Sequence, residues 1–212
     1  MSNDQHPNHG HHETETEVQA SYYASRSKAI ETLLVEKGVM TTTEIDREVN
    51  AMDSKSPADG AKIVALAWSD DLFLTKLLAN ASEALKEIGY ELPDKTPYLK
   101  VVANSDDIHY VVVCTLCSCY PRMLLGRPPD WYKSLAYRSR VVVSPREVME
   151  EFGLRLSDDV EVRVLDSTAD MRYMVIPRRP LGTEGFDQDS LAALVTRDSM
   201  IGVSDPLSAD CL

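Results

Sequence analysis

The chain has 212 residues, 43% of them hydrophobic, and its 22 basic against 34 acidic side chains give a formal net charge of −12. This length fits one medium domain, or one domain with a separate arm, and the apolar content is sufficient for a buried core. The acidic balance argues against a nucleic-acid-binding surface, which requires clustered Lys and Arg, and no apolar run approaches the length of a membrane span.

Residues 1–17 have the composition of a disordered, solvated tail. A second interpretation is a metal-capturing tail, because imidazole binds divalent cobalt, nickel and zinc. The segment has no hydrophobic signal core, so we expect a cytoplasmic protein, and cysteines kept free of disulfides agree with that location. The tail holds four of the five histidines, at His6, His9, His11 and His12.

Residues 18–92 are predicted to form a helical arm. Apolar side chains recur at helical spacing, and each helical segment is bounded by a capping residue or a glycine. The expected helices run from Val18 to Lys37, from a capping box of Thr41 and Glu44 through Met52, from Ser56-Pro57 through Trp68, and from a Ser69 cap to Gly89.

From Pro93 onward the pattern changes to short strands and helices, so residues 93–212 are predicted to form a second, compact domain. Strands are expected at Tyr98–Ala103, Ile108–Val113, Val141–Val143, Val160–Leu165 and Met171–Ile176, and helices after Pro128-Pro129, after Ser144-Pro145 and over Asp189–Thr196. The last two strands are expected to pair with each other across a turn at 166–170. The predicted fold class is α+β, an N-terminal helical arm followed by a compact mixed α/β domain.

The sequence Cys114-Thr115-Leu116-Cys117-Ser118-Cys119 places three of the four cysteines within six residues, directly after a β-branched run. A structural zinc site needs four ligands, usually from two separated cysteine pairs, and the remaining cysteine lies far away at Cys211. A redox pair of the C-x-x-C type would leave Cys119 unexplained. A reduced, metal-free cluster in the turn is the simplest alternative.

The Cys117-Ser118-Cys119 tripeptide offers a different metal site. If the amides of Ser118 and Cys119 lose their protons, two nitrogens and two sulfurs form a square plane that suits a small transition ion. Cys114 then supplies an axial sulfur, and the sixth position stays open, as a catalytic metal requires. We call residues 114–119 the claw.

The claw and the valine run before it resemble the metal site of the nitrile hydratase α subunit. The γ subunit of thiocyanate hydrolase carries a similar claw. The resemblance covers roughly residues 22–205, and its further matching segments are Pro129–Ser134, Tyr137–Arg140, Arg172–Pro177 and Arg197–Val203.

The resemblance implies the roles of the claw residues. Cys117 matches a cysteine oxidised to sulfinic acid, Cys119 one oxidised to sulfenic acid, and Cys114 an unmodified axial thiolate. Thr115 stands where iron enzymes tend to have serine, which implies one cobalt(III) ion per chain, with iron(III) as the alternative. The implied metal ligands are Cys114, Cys117, Ser118 and Cys119, and the two oxidised cysteines are the implied catalytic residues.

The implied function is hydration of a small organic nitrile to its amide by an α subunit that is active only with a β subunit, as a heterodimer or heterotetramer. The helical arm would embrace that partner, arginines of the partner would balance the negative claw, and an activator protein would load the metal. The nucleophile stays open, either a water activated by the metal or the Cys119 sulfenate. Thiocyanate hydrolysis is the nearest alternative, and non-enzymatic metal storage or delivery, motivated by the histidine tail, is a third.

Arg122 departs from the pattern of the cobalt nitrile hydratases, which usually have tryptophan after the Tyr-Pro that follows the claw. Thiocyanate hydrolase also has arginine at this point. Together with Thr115, Arg122 is a candidate for the substrate pocket, where a guanidinium would favour a polar or anionic substrate. The other interpretation is that Arg122 faces the partner subunit and pairs with a carboxylate there.

Overall fold

The computed structural model describes residues 15–93 and 96–211, and their side chains from residue 22 onward. Residues 1–14 of the predicted histidine-rich tail lie outside the described residues. The chain divides into two compact units, Met1–Asn50 and Ala51–Leu212. Among the helices that the structure describes, none has both the length and the apolar content needed to cross a membrane.

The first unit contains helix α1, Glu15–Glu36, and most of helix α2, Thr42–Asp53. The predicted capping box is confirmed, because Glu44 N donates to Thr41 Oγ1 at 3.2 Å and Thr41 N donates to Glu44 Oε2 at 2.8 Å. No residue of α2 is buried within the chain. Large apolar side chains of α1, among them Tyr22, Ile30 and Leu33, are more than half exposed.

Three helices open the second unit: α3, Pro57–Ser69, α4, Asp71–Ala79, and α5, Ala81–Glu87. The predicted break after Trp68 lies within a residue of the observed one, but the helix predicted from a Ser69 cap to Gly89 is two helices, and its cap is Asp70. Asp70, in an extended conformation, accepts from Leu72 N and Phe73 N to start α4, and Asn80 accepts from Glu83 N to start α5. These short polar side chains compete with the helical backbone for its amide hydrogens, so the helix is interrupted at each of them.

The strands are β1, Tyr98–Ala103, β2, Ile108–Val113, β3, Glu161–Asp166, and β4, Met171–Ile176. The predicted pairing of the last two strands is wrong, because β1 pairs with β4 and β2 pairs with β3, both in parallel. Val113 and Asp166 are register partners at the carboxyl ends of β2 and β3. The residue that ends β3 therefore lies beside the start of the claw.

Helices α6, Arg122–Leu125, α7, Asp130–Lys133, α8, Leu135–Arg140, and α9, Pro145–Glu151, follow the claw. The single helix predicted after Pro128-Pro129 is two helices, because Ser134 is extended and its hydroxyl accepts from Tyr137 N to cap α8. The predicted strand at 141–143 is also wrong. Val143 N and Ser144 N both donate to Arg140 O, so this segment is a turn despite its β-branched residues.

Helices α10, Gln188–Leu194, and α11, Arg197–Ile201, complete the unit, with a short 3-10 helix at Ala209–Cys211. The C-terminus of α11 packs directly on β2. A Cβ at Gly202, whose φ is +84°, would lie 1.9 Å from Tyr110 O, so this close approach requires glycine. Buried aliphatic side chains of β1, β2 and β4 form the centre of the core.

The α+β class is confirmed, with helices and parallel strands sharing one core in the second unit. Helices α3, α4 and α5 belong to that unit and contribute buried residues to its core, including Val64, Phe73 and Leu85. The expectation that residues 18–92 embrace a partner stays a prediction.

Candidate metal centre

The three claw cysteines converge at the carboxyl end of β2. Cys114 is buried, Cys117 is exposed and Cys119 is half-buried. The Sγ atoms of Cys114 and Cys117 are 3.3 Å apart, and those of Cys117 and Cys119 are 3.1 Å apart. In the described parts of the chain, this is the one cluster of three or more Cys, His or acidic groups that could hold a metal ion.

The donor set suits a thiophilic transition ion, because three soft sulfurs converge with their ligand atoms within 4.8 Å of one another. Cys117 N also donates to Cys114 Sγ at 3.2 Å. This bond curls the loop back toward the Cys114 sulfur.

Of the two exposed or half-buried thiols of the cluster, Cys117 loses its proton more readily than Cys119. Hydrogen bonds from the Cys119 and Cys114 thiols lower the pKa of Cys117 to about 7. Burial, followed by the hydrogen bond to Cys117, raises the pKa of Cys119 to about 12. Loading all three sulfurs onto a cation must therefore displace protons, which makes metal uptake dependent on pH.

Two side chains of opposite charge hold the first residues of the claw. Thr115 donates from its N and Oγ1 to the two carboxylate oxygens of Asp166, at 2.9 and 2.6 Å. Arg138 donates from Nε to Cys114 O at 3.0 Å and from Nη2 to Thr115 O at 2.7 Å. Sequence reasoning assigned neither Asp166 nor Arg138 to the site, because only the strand register and the position of α8 bring them there.

Aromatic residues support the claw from the core side. The fully buried Tyr132 donates from its hydroxyl to Cys119 O at 2.8 Å. Tyr137 donates in the same way to Val112 O at 2.6 Å. The rings of Tyr120 and Tyr132 meet edge to face with centroids 5.0 Å apart, and Trp131 packs edge to face against Tyr137 at 4.8 Å. The backbone on both sides of the cysteines is thus fixed by the core.

His109 is a structural residue of β2. Its Nε2 lies 2.8 Å from Gly202 O and its Nδ1 lies 3.1 Å from Asn104 Nδ2. A carbonyl only accepts, so Nε2 carries the hydrogen and Nδ1 accepts from the amide. Both ring nitrogens are therefore occupied, as expected for a core histidine and not for a ligand.

A family model described as "Nitrile hydratase, alpha chain" matches residues 21–204. The chain belongs to the nitrile hydratase α-chain family. The family resemblance of the claw and of the segments downstream is thereby confirmed over most of the chain.

The curated relatives agree with this assignment. The chain is 48% identical over 188 residues to the high-molecular weight cobalt-containing nitrile hydratase subunit alpha of Rhodococcus rhodochrous, covering 88% of this chain and 92% of the relative. It is 46% identical to the cobalt-containing nitrile hydratase subunit alpha of Pseudonocardia thermophila, and the match covers 90% of this chain and 93% of the relative. It is 40% identical to the thiocyanate hydrolase subunit gamma of Thiobacillus thioparus, and the match covers 84% of this chain and 77% of the relative.

Solved structures show the same fold. A double mutant of the Fe-type nitrile hydratase from Comamonas testosteroni Ni1 superposes with a TM-score of 0.81 at 39% identity, covering 87% of this chain and 90% of that one. A recombinant thiocyanate hydrolase with partially modified cobalt centres gives the same TM-score and identity, covering 87% and 89%. The fold of this chain is therefore similar to that of a chain in each of these two enzymes.

The two candidate pocket residues have different surroundings in this nitrile hydratase α chain. Thr115 is half-buried, and its hydroxyl is engaged by Asp166. Arg122 begins α6, is exposed, and lies three residues beyond Cys119. A substrate-pocket role for either residue stays a prediction.

Proposed function

We propose that this chain is the α subunit of a cobalt(III) nitrile hydratase that adds water across a carbon–nitrogen triple bond. The water oxygen joins the nitrile carbon, both hydrogens end on nitrogen, and the product is the amide. The observation that carries the proposal is the convergence of Cys114, Cys117 and Cys119 at the end of β2. Relatives whose names specify cobalt, 46% to 49% identical to this chain, support the metal.

The claw residues would hold the ion through the sulfurs of Cys114, Cys117 and Cys119 and the deprotonated amides of Ser118 and Cys119. When bound, a trivalent cobalt ion supplies Lewis acidity at the open end of the claw. Thiolates beside such an ion are prone to oxidation by an oxidant such as dioxygen, which would supply two oxygen atoms to the Cys117 sulfur and one to the Cys119 sulfur. We therefore assign sulfinic acid to Cys117 and sulfenic acid to Cys119.

Cys119 is the proposed reacting residue of this chain. As a sulfenate it offers an oxygen that can attack the nitrile carbon or take a proton from the attacking water. Tyr132 holds the Cys119 carbonyl at 2.8 Å and thereby fixes the orientation of this residue. Burial raises the pKa of the Cys119 thiol, and the charge of the nearby Arg172 opposes that shift by favouring the negative form.

A β-type partner would complete the site, as a heterodimer or heterotetramer. The claw faces outward at Leu116, which is 86% exposed, and at the exposed Cys117. The oxygen atoms of oxidised Cys117 and Cys119 would need positively charged hydrogen-bond donors. Arginine suits this task because its guanidinium presents parallel N–H donors. The exposed apolar residues of α1 offer further surface to such a partner. A metal-loading activator protein is part of the same proposal.

Thiocyanate hydrolysis is the second candidate. Thiocyanate and two waters would give carbonyl sulfide, ammonia and hydroxide. The observation that favours it is the exposed guanidinium of Arg122 just beyond the claw, since a cation there favours an anionic substrate. Higher identity to nitrile hydratases, 48% against 40%, favours the first candidate.

The test is to co-express the chain with a β-type partner in medium that supplies cobalt and iron, and to assay the purified complex. We expect cobalt equimolar with this chain, amide formed from nitriles, and little ammonia formed from thiocyanate. Iron as the main metal would contradict the cobalt assignment. Faster turnover of thiocyanate than of every nitrile tried would replace the first candidate with the second.

A further inference from the structure

The backbone at the start of the claw is held from two opposite directions. Arg138 binds the carbonyl oxygens of Cys114 and Thr115 at 3.0 and 2.7 Å. Asp166 binds the N–H of Thr115 at 2.9 Å. In a trans peptide the C=O and the N–H point in opposite directions. Binding the Cys114 carbonyl on the α8 side therefore directs the Thr115 N–H toward Asp166.

The position of Arg138 is itself fixed by the strand that carries the claw. Tyr137, its neighbour in α8, donates to Val112 O at 2.6 Å, and Ser134 caps the helix. Two consecutive residues of α8 therefore bind three carbonyls of one continuous stretch of chain, at Val112, Cys114 and Thr115. Because Arg138 is only half-exposed, its hydrogen bonds are less weakened by solvent than those of a surface arginine.

We propose that Arg138 is a positioning residue of the metal centre, which fixes the first two peptide units of the claw before metal binds. This inference rests on the proposed function only in that the claw takes up a metal. With Arg138 in place, folding orders the loop and the metal meets sulfurs that are already gathered. Without it, metal binding must also order the loop, and affinity falls accordingly.

The guanidinium fits this task better than an ammonium would. Its Nε and Nη2 are two fixed donors, and they reach two carbonyls on successive residues. Lysine presents a single point of charge on a flexible stem. The positive charge also lies beside a loop that gains negative charge when its thiols ionise.

Arg140 provides a matched control. It lies two residues along the same helix and carries the same charge, but its guanidinium pairs with Glu151 at 2.5 and 3.0 Å in an exposed ion pair. Replacing it removes a charge and a bidentate pair from α8 without touching the claw. The comparison of Arg138→Gln with Arg140→Gln therefore isolates the contact with the two carbonyls.

The experiment uses the complex with its β-type partner, produced over a series of cobalt concentrations for native protein, Arg138→Gln, Arg138→Lys and Arg140→Gln. The readouts are cobalt per chain, the absorption band from sulfur-to-cobalt charge transfer, and the mass of the peptide that contains the claw. We expect Arg138→Gln to need roughly tenfold more cobalt for half loading, with a shifted band and less oxidised cysteine. The cobalt concentration that half-loads Arg138→Lys should lie between those for native protein and Arg138→Gln. The concentration for Arg140→Gln should match that of native protein.

Uptake and spectrum of Arg138→Gln equal to those of Arg140→Gln would overturn the inference. Circular dichroism establishes whether each variant folds. Should Arg138→Gln not fold, a folded Arg138→Lys decides in its place, and native uptake by that variant would overturn the inference. Absence of metal from native protein would instead refute the proposed function, so the two failures are distinct.

Discussion

Tyr132 and Cys119 are joined by a hydrogen bond from the phenolic hydroxyl to the backbone carbonyl, at 2.8 Å. Tyr132 is fully buried, and burial strongly raises the pKa of its hydroxyl, so it remains a neutral donor. The cysteine with the most demanding proposed chemistry is thus attached to a fully buried side chain of the core. This relationship explains why an aromatic cluster lies directly behind the claw.

Replacing Tyr132 by Phe should lower activity while the ring packing is kept. The Cys119 carbonyl would lose its donor, at a cost of about 1–3 kcal/mol in the free energy of unfolding, and Cys119 would be less well oriented. Urea unfolding and nitrile turnover of the complex measure the two effects. Tyr98→Phe, at a tyrosine that is 44% exposed, is the control and should leave both values unchanged. Native turnover in Tyr132→Phe would show that this bond does not orient Cys119.

Replacing Cys119 by Ser should abolish turnover, because serine offers neither a soft ligand nor a sulfenate oxygen. In native protein, mass spectrometry of the claw peptide should find Cys117 as sulfinic acid and Cys119 as sulfenic acid. Cys211→Ser is the matched control at the exposed cysteine outside the claw, and it should retain activity. Near-native activity in Cys119→Ser would refute the assigned role.

Replacing Arg122 by Trp should shift specificity from polar or anionic nitriles toward a plain aromatic one. An aromatic wall favours flat apolar substrates, whereas a guanidinium favours anions and hydrogen-bonding groups. We expect the ratio of the kcat/KM values to move roughly tenfold toward the aromatic nitrile. Arg127→Trp, at an exposed arginine that pairs with Asp53, is the control. If the ratio does not move, Arg122 does not determine specificity and its role lies at the partner interface.

Lowering the pH below about 6.5, the usual pKa of histidine, should destabilise the chain through His109. Burial lowers the pKa of His109, so the unfolded chain binds a proton that the folded chain resists. The stability contributed by neutral His109 is therefore complete above the unfolded pKa and is lost as the pH falls. Protonation would also place a donor on Nδ1, against the Asn104 amide at 3.1 Å.

The measurement compares urea unfolding at neutral and mildly acidic pH for native protein and His109→Gln, which cannot titrate. The loss of unfolding free energy on acidification should be larger in native protein. Asn104→Ala provides a second variant. It removes the half-buried amide that contacts the buried His109 ring but leaves that ring able to titrate. If native protein and His109→Gln lose the same unfolding free energy on acidification, His109 is excluded as the cause.

The claw could be predicted from sequence because its ligands lie within six residues, so local chain geometry alone brings the sulfurs near one another. The capping box of Thr41 and Glu44 is local in the same sense and was predicted correctly. The break at Asn80 was missed although its cap is equally local, because the apolar spacing continues across it.

Strand partners and the residues that hold the claw were decided by tertiary structure. Alternating side chains reveal which faces of a strand are buried but not which strand lies beside it, so the strands predicted at 160–165 and 171–176 were wrongly paired with each other. Asp166 reaches Thr115 from 51 residues away and Arg138 reaches Cys114 from 24 residues away. Contacts at such separations leave no local pattern, because they depend on how the strands and helices pack into a common core.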